Sequence, residues 1–272
     1  MPEGPEIRLA ADRVEKALST LPLLDVFFAF DHLKSFESAL IGSHVLQVDT
    51  KGKAMLTRFD NGYTLYSHNQ LYGKWVIKKA YDYPKTNRQL RLALHNEKKS
   101  AFLYSASDIE VLRDEEVSAH PFVSRVGPDI LSEPITPDAL LERFLSKPFV
   151  GRRWSALLLD QSFIAGIGNY LRSEILFVAK IPPSFRPKDC TSLQLTAASH
   201  AVIDLMTQSY KTRGITTDLT IVDRLKDRGV PRKHYRHWVF NREGESCRIC
   251  GSEIKRITAN SRRLYFCPEC QT

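Results

Sequence analysis

The chain has 272 residues, is 43% hydrophobic, and carries 39 Lys and Arg against 31 Asp and Glu, for a net charge of +8 and a pI near 9.2. That length and apolar content exclude a disordered chain or a disulfide-stapled miniprotein and allow two or three folded domains. No apolar run reaches the ~18 residues of a membrane span, and the acidic start lacks a signal peptide's apolar core, so no membrane contact and a cytoplasmic location are expected. The basic balance suits a polyanionic partner, most often nucleic acid.

The opening run is Met1-Pro2-Glu3-Gly4-Pro5-Glu6-Ile7. From Pro5 to Ser19 the apolar residues Ile7, Ala10, Ala11, Val14 and Leu18 recur at helical spacing and predict an amphipathic helix. Strand signals follow at Val26–Phe30, His44–Thr50, Ala54–Phe59, Tyr63–Ser67, Trp75–Lys78, Gln89–His95 and Ala101–Tyr104, with turn chemistry at Lys51-Gly52-Lys53, Asp60-Asn61-Gly62 and Asn96–Lys99. Short, closely spaced strands predict an antiparallel β-sandwich or barrel, placed at residues 1–128. The period then turns helical, through Leu140–Leu145, Ala156–Leu159, a Gly-rich turn, Leu171–Leu176 and Leu195–Met206, which predicts a helical domain at 129–222. Arg224–Arg242 holds seven Lys and Arg and one acid, Asp227, interleaved with His234, Tyr235, His237 and Trp238. That bias predicts a basic linker at 223–243, mobile or facing phosphate, against the default of a solvated basic face. A four-cysteine module fills 244–272.

Two readings of the start compete. If Met1 is removed, Pro2 offers a secondary amine beside the Glu3 carboxylate, the minimum for Schiff-base chemistry on a sugar aldehyde. An α-amine titrates near ~8 and a lysine near ~10.4, so at pH 7 roughly a tenth of the amine is neutral, against under a thousandth of a lysine. The plainer reading is a helix N-terminus, with Pro5 in the first turn and Glu6 at the positive end of the dipole.

Cys247-Arg248-Ile249-Cys250 and Cys267-Pro268-Glu269-Cys270 stand sixteen residues apart. The C-x2-C-x16-C-x2-C spacing predicts one tetrahedral zinc held by four thiolates, a closed and therefore structural site. A piece of roughly thirty residues cannot fold on its own apolar burial, and zinc supplies on the order of ten kcal/mol in such modules. Two disulfides are the alternative. Between the pairs, a hairpin turns at Ala259-Asn260-Ser261 and sets Arg262 at its tip, where it suits a phosphate or is a plain surface charge.

Two further stretches offer nucleic-acid chemistry. Gly166-Ile167-Gly168-Asn169 between helices could present backbone N–H groups and the Asn169 amide to a phosphate, or be an ordinary connection. Gln70-Leu71-Tyr72 between two strands could fill the gap left by an extruded base, or be core residues at a strand start.

Taken together, Pro2-Glu3-Gly4-Pro5-Glu6, Lys53 after its Gly turn, Leu159-Asp160-Gln161 with Ala165–Tyr170, and the finger ending Cys267-Pro268-Glu269-Cys270-Gln271 resemble the formamidopyrimidine-DNA glycosylase/endonuclease VIII family over essentially the full length. The contiguous Gln70-Leu71-Tyr72 and the Pro-Glu-Gly-Pro-Glu-Ile-Arg start resemble the endonuclease VIII branch. The resemblance implies an α+β multidomain protein: a β-sandwich with an anchoring N-terminal helix, a helix–two-turn–helix domain and a zinc-finger hairpin. It implies a bifunctional DNA glycosylase and abasic-site lyase of base excision repair, acting as a nucleoid-associated monomer on damaged double-stranded DNA, with one structural zinc and no other cofactor. By resemblance Pro2 forms the Schiff base, Glu3 is the general acid/base, Lys53 assists β-elimination and Arg262 δ-elimination. Gln70, Leu71, Tyr72, Arg125 and Asn169 would contact DNA. The implied substrates are oxidised pyrimidines. Alternatives are oxidised purines, because the 214–236 segment occupies the place of the purine branch's base-capping loop, or a non-catalytic DNA-binding relative. A zinc hydrolase conflicts with a closed four-thiolate shell.

Overall fold

The computed structural model describes residues 2–272, which divide into two compact units, the first ending at Val126 and the second running Gly127–Thr272. The first opens with α1 (Gly4–Leu18), whose buried face is Ile7, Ala11, Val14, Ala17 and Leu18. Then come β1 (Asp25–Phe28), α2 (Ser35–Leu40), β2 (Val45–Lys51), β3 (Ala54–Phe59), β4 (Tyr63–His68), β5 (Lys74–Lys79), β6 (Leu90–His95), β7 (Lys99–Tyr104) and β8 (Asp108–Arg113).

These strands make two four-stranded antiparallel sheets, ordered β1-β6-β7-β5 and β2-β3-β4-β8. Val26, Phe28, Leu92, Leu94 and Leu103 from one sheet and Val48, Met55, Phe59, Leu65 and Ile109 from the other share one core with the apolar face of α1. This is the predicted sandwich, with alternate residues of each strand facing inward. Fully burying each such side chain is worth about 1.5–3 kcal/mol. Polar clamps fix the helix on its sheet: Arg8 donates to the Val48 carbonyl at 2.7 Å, and Glu15 accepts the Val48 N–H at 2.9 Å. β8 and α2 carry no prediction from the sequence.

The second unit contains α3 (Pro137–Leu145), α4 (Trp154–Leu157), α5 (Asn169–Val178), α6 (Ser192–Thr212), α7 (Leu219–Asp227), α8 (Arg232–Tyr235), β9 (Lys255–Ala259) and β10 (Arg262–Phe266). Its core gathers Phe144, Trp154, Phe163, Leu171, Ile175, Val202 and Met206, with Leu264 of β10 packed among them. α6 runs six residues past the predicted end, capped at its start by Thr191, which accepts the Gln194 N–H at 3.2 Å. In the stretch 223–243, which the charge pattern reads as a basic linker, the chain holds the end of α7 and all of α8. Leu225, Val230 and Tyr235 stand between the charges and form a small core with Ile215 and Val222 just upstream. No helix is long and apolar enough to cross a membrane among the described residues.

Candidate active site and DNA interface

In the first unit, Glu3 is the N-cap of α1 and Pro2 stands immediately before it. The Glu3 carboxylate is buried, 3% exposed, and the Glu3 backbone N–H donates to Glu6 Oε2 at 3.0 Å. Ile7 N–H returns to the Glu3 carbonyl at 3.1 Å. The helix clamped on its sheet therefore holds Pro2 and Glu3 in place and keeps them from fraying. Met1 lies outside the described residues.

Lys53 occupies the second position of the two-residue turn Gly52-Lys53 joining β2 to β3. Gly52 has φ 61°, the conformation a tight hairpin asks of glycine. Next to this turn sits a residue the sequence reading passed over. His68, paired in register with Ala54 and Asp108, is pushed below the usual imidazole value by burial and, more weakly, by the Lys53 charge, against the pull of Asp108. Its Nδ1 accepts the Gln70 N–H at 3.0 Å, so the neutral ring fixes the start of the following turn.

That turn carries Gln70, Leu71 and Tyr72. Gln70 adopts φ 47°, and its side-chain carbonyl accepts from the Ser107 hydroxyl at 2.7 Å. Leu71 is 50% exposed and Tyr72 67% exposed, so the core reading of these two residues does not hold. Gly73 closes the turn by donating to the Asn69 carbonyl at 2.7 Å, and a Cβ there would lie 2.6 Å from the Asn69 backbone. Arg88 holds the Tyr72 carbonyl at 2.6 Å. An apolar and an aromatic side chain thus project from a pinned backbone. Arg125, at the end of the first unit, is exposed, with its Nε on the Pro121 carbonyl at 2.5 Å.

In the second unit, Gly168 caps α5 and Asn169 opens it. Gly166 takes φ 85°, whereas Gly168 is extended, so only the first of the two glycines needs its conformational freedom. Gln161 braces the loop, accepting the Gly166 N–H at 3.0 Å and donating to the Ile167 carbonyl at 2.9 Å. The Asn169 amide donates to the Arg263 carbonyl at 2.8 Å, which engages one of its two hydrogens inside the protein. Arg172, fully buried, donates to Asn169 Oδ1 at 2.7 Å and to the carbonyls of Ser155, Ala259 and Arg263. Asn169 and the tip of the β9–β10 hairpin therefore lie together. Asn260 and Ser261 turn the hairpin with φ 54° and 58°, and Arg262 follows, exposed.

The four cysteines cluster with ligand atoms within 4.8 Å of one another. Sγ of Cys247 and Cys270 lie 3.9 Å apart, and those of Cys250 and Cys267 3.4 Å. A tetrahedral shell with Zn–S of about 2.3 Å sets its sulfurs about 3.8 Å apart, whereas a disulfide requires about 2.05 Å. The donor set and its spacing fit zinc and not two disulfides. Gln271 binds this knuckle to the helical core, accepting the Cys267 N–H at 2.9 Å and donating to the Ile181 carbonyl at 2.9 Å. Glu174, fully buried on α5, accepts N–H bonds from Val239 and Phe240 at 2.9 Å and Trp238 at 2.7 Å, and the Thr216 hydroxyl. Burial pushes its carboxyl up and these four donors oppose that. One carboxylate thus holds the entry to the finger.

Comparison with known proteins places these features. The formamidopyrimidine-DNA glycosylase N-terminal domain matches residues 1–105, its H2TH domain 126–220, and the zinc finger found in FPG and IleRS 244–272. The chain belongs to the formamidopyrimidine-DNA glycosylase and endonuclease 8 family, whose members are DNA glycosylases with abasic-site lyase activity. It is 50% identical over 271 residues to an Endonuclease 8 of Escherichia coli O17:K52:H18, and 49% identical to one of Shigella flexneri serotype 5b, with 100% of each chain covered. Among solved structures it shares the fold of Lactococcus lactis Fpg in complex with abasic-site DNA, at TM-score 0.82 and 20% identity over 99% of both chains. It also shares that of MutM with carbocyclic 8-oxo-G DNA, at TM-score 0.82 and 20% identity over 100% of both.

Proposed function

We propose that this glycosylase removes oxidised pyrimidines from double-stranded DNA and nicks the strand by β,δ-elimination. The half-identity to endonuclease 8 over the full length supports the pyrimidine branch, as does the contiguous, exposed Gln70-Leu71-Tyr72 turn. With Met1 removed, the Pro2 nitrogen attacks C1′ of the damaged nucleotide and the bond from C1′ to the base breaks. Glu3 supplies the proton that opens the sugar, and the C1′–N iminium acidifies the 2′-hydrogens. Loss of a 2′-hydrogen expels the 3′-phosphate, assisted by Lys53, and a second elimination at C5′ expels the 5′-phosphate, assisted by Arg262. Leu71 and Tyr72 fill the space of the extruded base, whose unstacking costs a few kcal/mol and is offset by phosphate contacts from Asn169 and Arg125. Zinc on Cys247, Cys250, Cys267 and Cys270 supplies folding energy to the finger and no chemistry.

The observation that carries the chemistry is the buried Glu3 carboxylate, fixed one residue from Pro2 by the packing of α1. Parallel excision assays on thymine-glycol and 8-oxoguanine duplexes, with borohydride trapping, test the whole. Faster release of 8-oxoguanine would overturn the substrate assignment, and absence of a trapped adduct the chemistry.

A further inference from the structure

From the α7–α8 segment we infer a preformed phosphate-binding platform for the duplex flanking the lesion, an assignment that rests on the DNA-binding reading above. All but the first two residues of the segment lie outside the residues matched by the three family models, which end at 220 and resume at 244. Between Leu219 and Arg236 it exposes Arg224, Lys226, Arg228, Arg232 and Lys233 against two exposed acids, Asp223 and Asp227. Asp223 is taken by Lys226 at 3.1 Å. Arg228 and Lys233 make no ion pair or side-chain hydrogen bond among the described residues.

A basic tail would also carry these charges, but this segment is fixed. Its own core is Ile215, Val222 and Tyr235 with Leu225 and Val230. Asp218 caps α7 through the Thr220 and Ile221 N–H groups at 2.9 and 3.3 Å. Arg232 donates to the Arg213 carbonyl at 2.6 Å, Arg236 to the Gly214 carbonyl at 2.5 Å, and Arg248 of the finger to the His234 carbonyl. Glu174 holds the chain just beyond, at Trp238–Phe240. Anchored at its start, middle and end, the segment presents Arg228 and Lys233 on a backbone that is already ordered, so that binding has only their side-chain rotamers left to fix. Excess fixed positive charge beside a finger and a helix start that face the same polymer is complementary to a phosphodiester backbone. It also differs from what a lid over an extruded base needs, because the segment's apolar side chains are spent inside it.

The test uses the full-length zinc-loaded enzyme and an undamaged duplex as probe, with affinity measured from 50 to 200 mM salt. The double variant R228Q/K233Q is compared with K85Q/K98Q, which removes two exposed charges from the first unit. Each phosphate contact contributes about 0.9 to the slope of log K against log salt. R228Q/K233Q should therefore bind with a slope shallower by about 1.8, and K85Q/K98Q with the wild-type slope. Melting temperature and zinc content verify folding. An unchanged slope in R228Q/K233Q, or an equal loss in K85Q/K98Q, overturns the inference. So does a slower excision at saturating lesion DNA with an unchanged slope, which would set the segment over the base. Failure of wild type to bind duplex or be trapped by borohydride would instead overturn the reading it rests on.

Discussion

The Asn169 side chain at the start of α5 donates to the backbone carbonyl of Arg263, 94 positions later, at 2.8 Å. That bond joins the Gly-rich turn to the finger hairpin through one of the two amide hydrogens, and the proposed function assigns the other to a phosphate. Asn169→Ala should weaken binding to a duplex carrying an abasic analogue about tenfold, the worth of one charge-assisted bond of about 1.5 kcal/mol. It should also shift products from δ- toward β-elimination as Arg262 loses its fixed seat. Fluorescence anisotropy and gel analysis of the cut ends measure both, and wild-type affinity with wild-type ends would refute the role.

The proposed gap-filling role of Leu71 and Tyr72 makes a separate prediction. Leu71 and Tyr72 are exposed, so Leu71→Ala with Tyr72→Ala should leave stability within about 0.5 kcal/mol. Excision from duplex DNA should fall more than excision from single strands, which need no unstacking. Gly73→Ala should lose duplex activity and also cost about 1–3 kcal/mol, because its Cβ meets the Asn69 backbone, which cannot yield as a side-chain tip would. Equal losses on both DNA forms for the Leu71/Tyr72 pair would remove the wedge from the account.

Zinc should matter locally. Chelation, or Cys250→Ser, removes a folding contribution on the order of ten kcal/mol. Amide exchange should then become fast through 244–272 while β2, β3 and β4 stay protected, and the strand-nicking step should fail with the finger. Retained protection of β9 and β10 after verified metal loss would show that Gln271 and the hairpin core suffice alone.

His237 sets a pH dependence. Burial, then the charges of Arg236 and Arg232, lower it to about 3. Its ring sits 3.0 Å from the Thr216 hydroxyl. In the unfolded chain it titrates near ~6.5. A depressed folded value means that the unfolded state binds the proton that the folded state refuses, so stability is full above ~6.5 and is lost as pH falls toward about 3. The limit is about 1.4 kcal/mol per pH unit for one group. Between pH 7 and pH 5 the urea midpoint, followed by tryptophan emission, should fall less for His237→Gln than for wild type; an equal fall in both would exclude His237 as the source.

Local signals wrote most of the fold. Period, turn residues and cysteine spacing announce α1, seven of the sandwich strands and the finger hairpin because each is fixed by neighbours in sequence. β8 escaped because Asp108, Glu110 and Arg113 interrupt its apolar alternation on a half-exposed strand. The helices within 223–243 are hidden in the sequence because charge dominates its composition, while Leu225, Val230 and Tyr235 stand scattered among the charges and complete a core with Ile215 and Val222. Arg172 and Glu174 look like a polar helix face, yet both are fully buried, and their partners lie as far as 91 and 66 positions away. His68 reads as an ordinary strand-end residue; only the pairing of β3 with β4 sets it beside Lys53. Of the candidate site, the residue types were legible, and the supports that hold them were not.

The central claim is that an unblocked Pro2 amine is the nucleophile. Borohydride trapping on abasic duplex DNA should yield a covalent adduct that mass spectrometry maps to an N-terminal Pro2, and none when the terminus is acetylated or Met1 is retained. An adduct of undiminished yield on the blocked protein, or one mapped to Lys53, would contradict it.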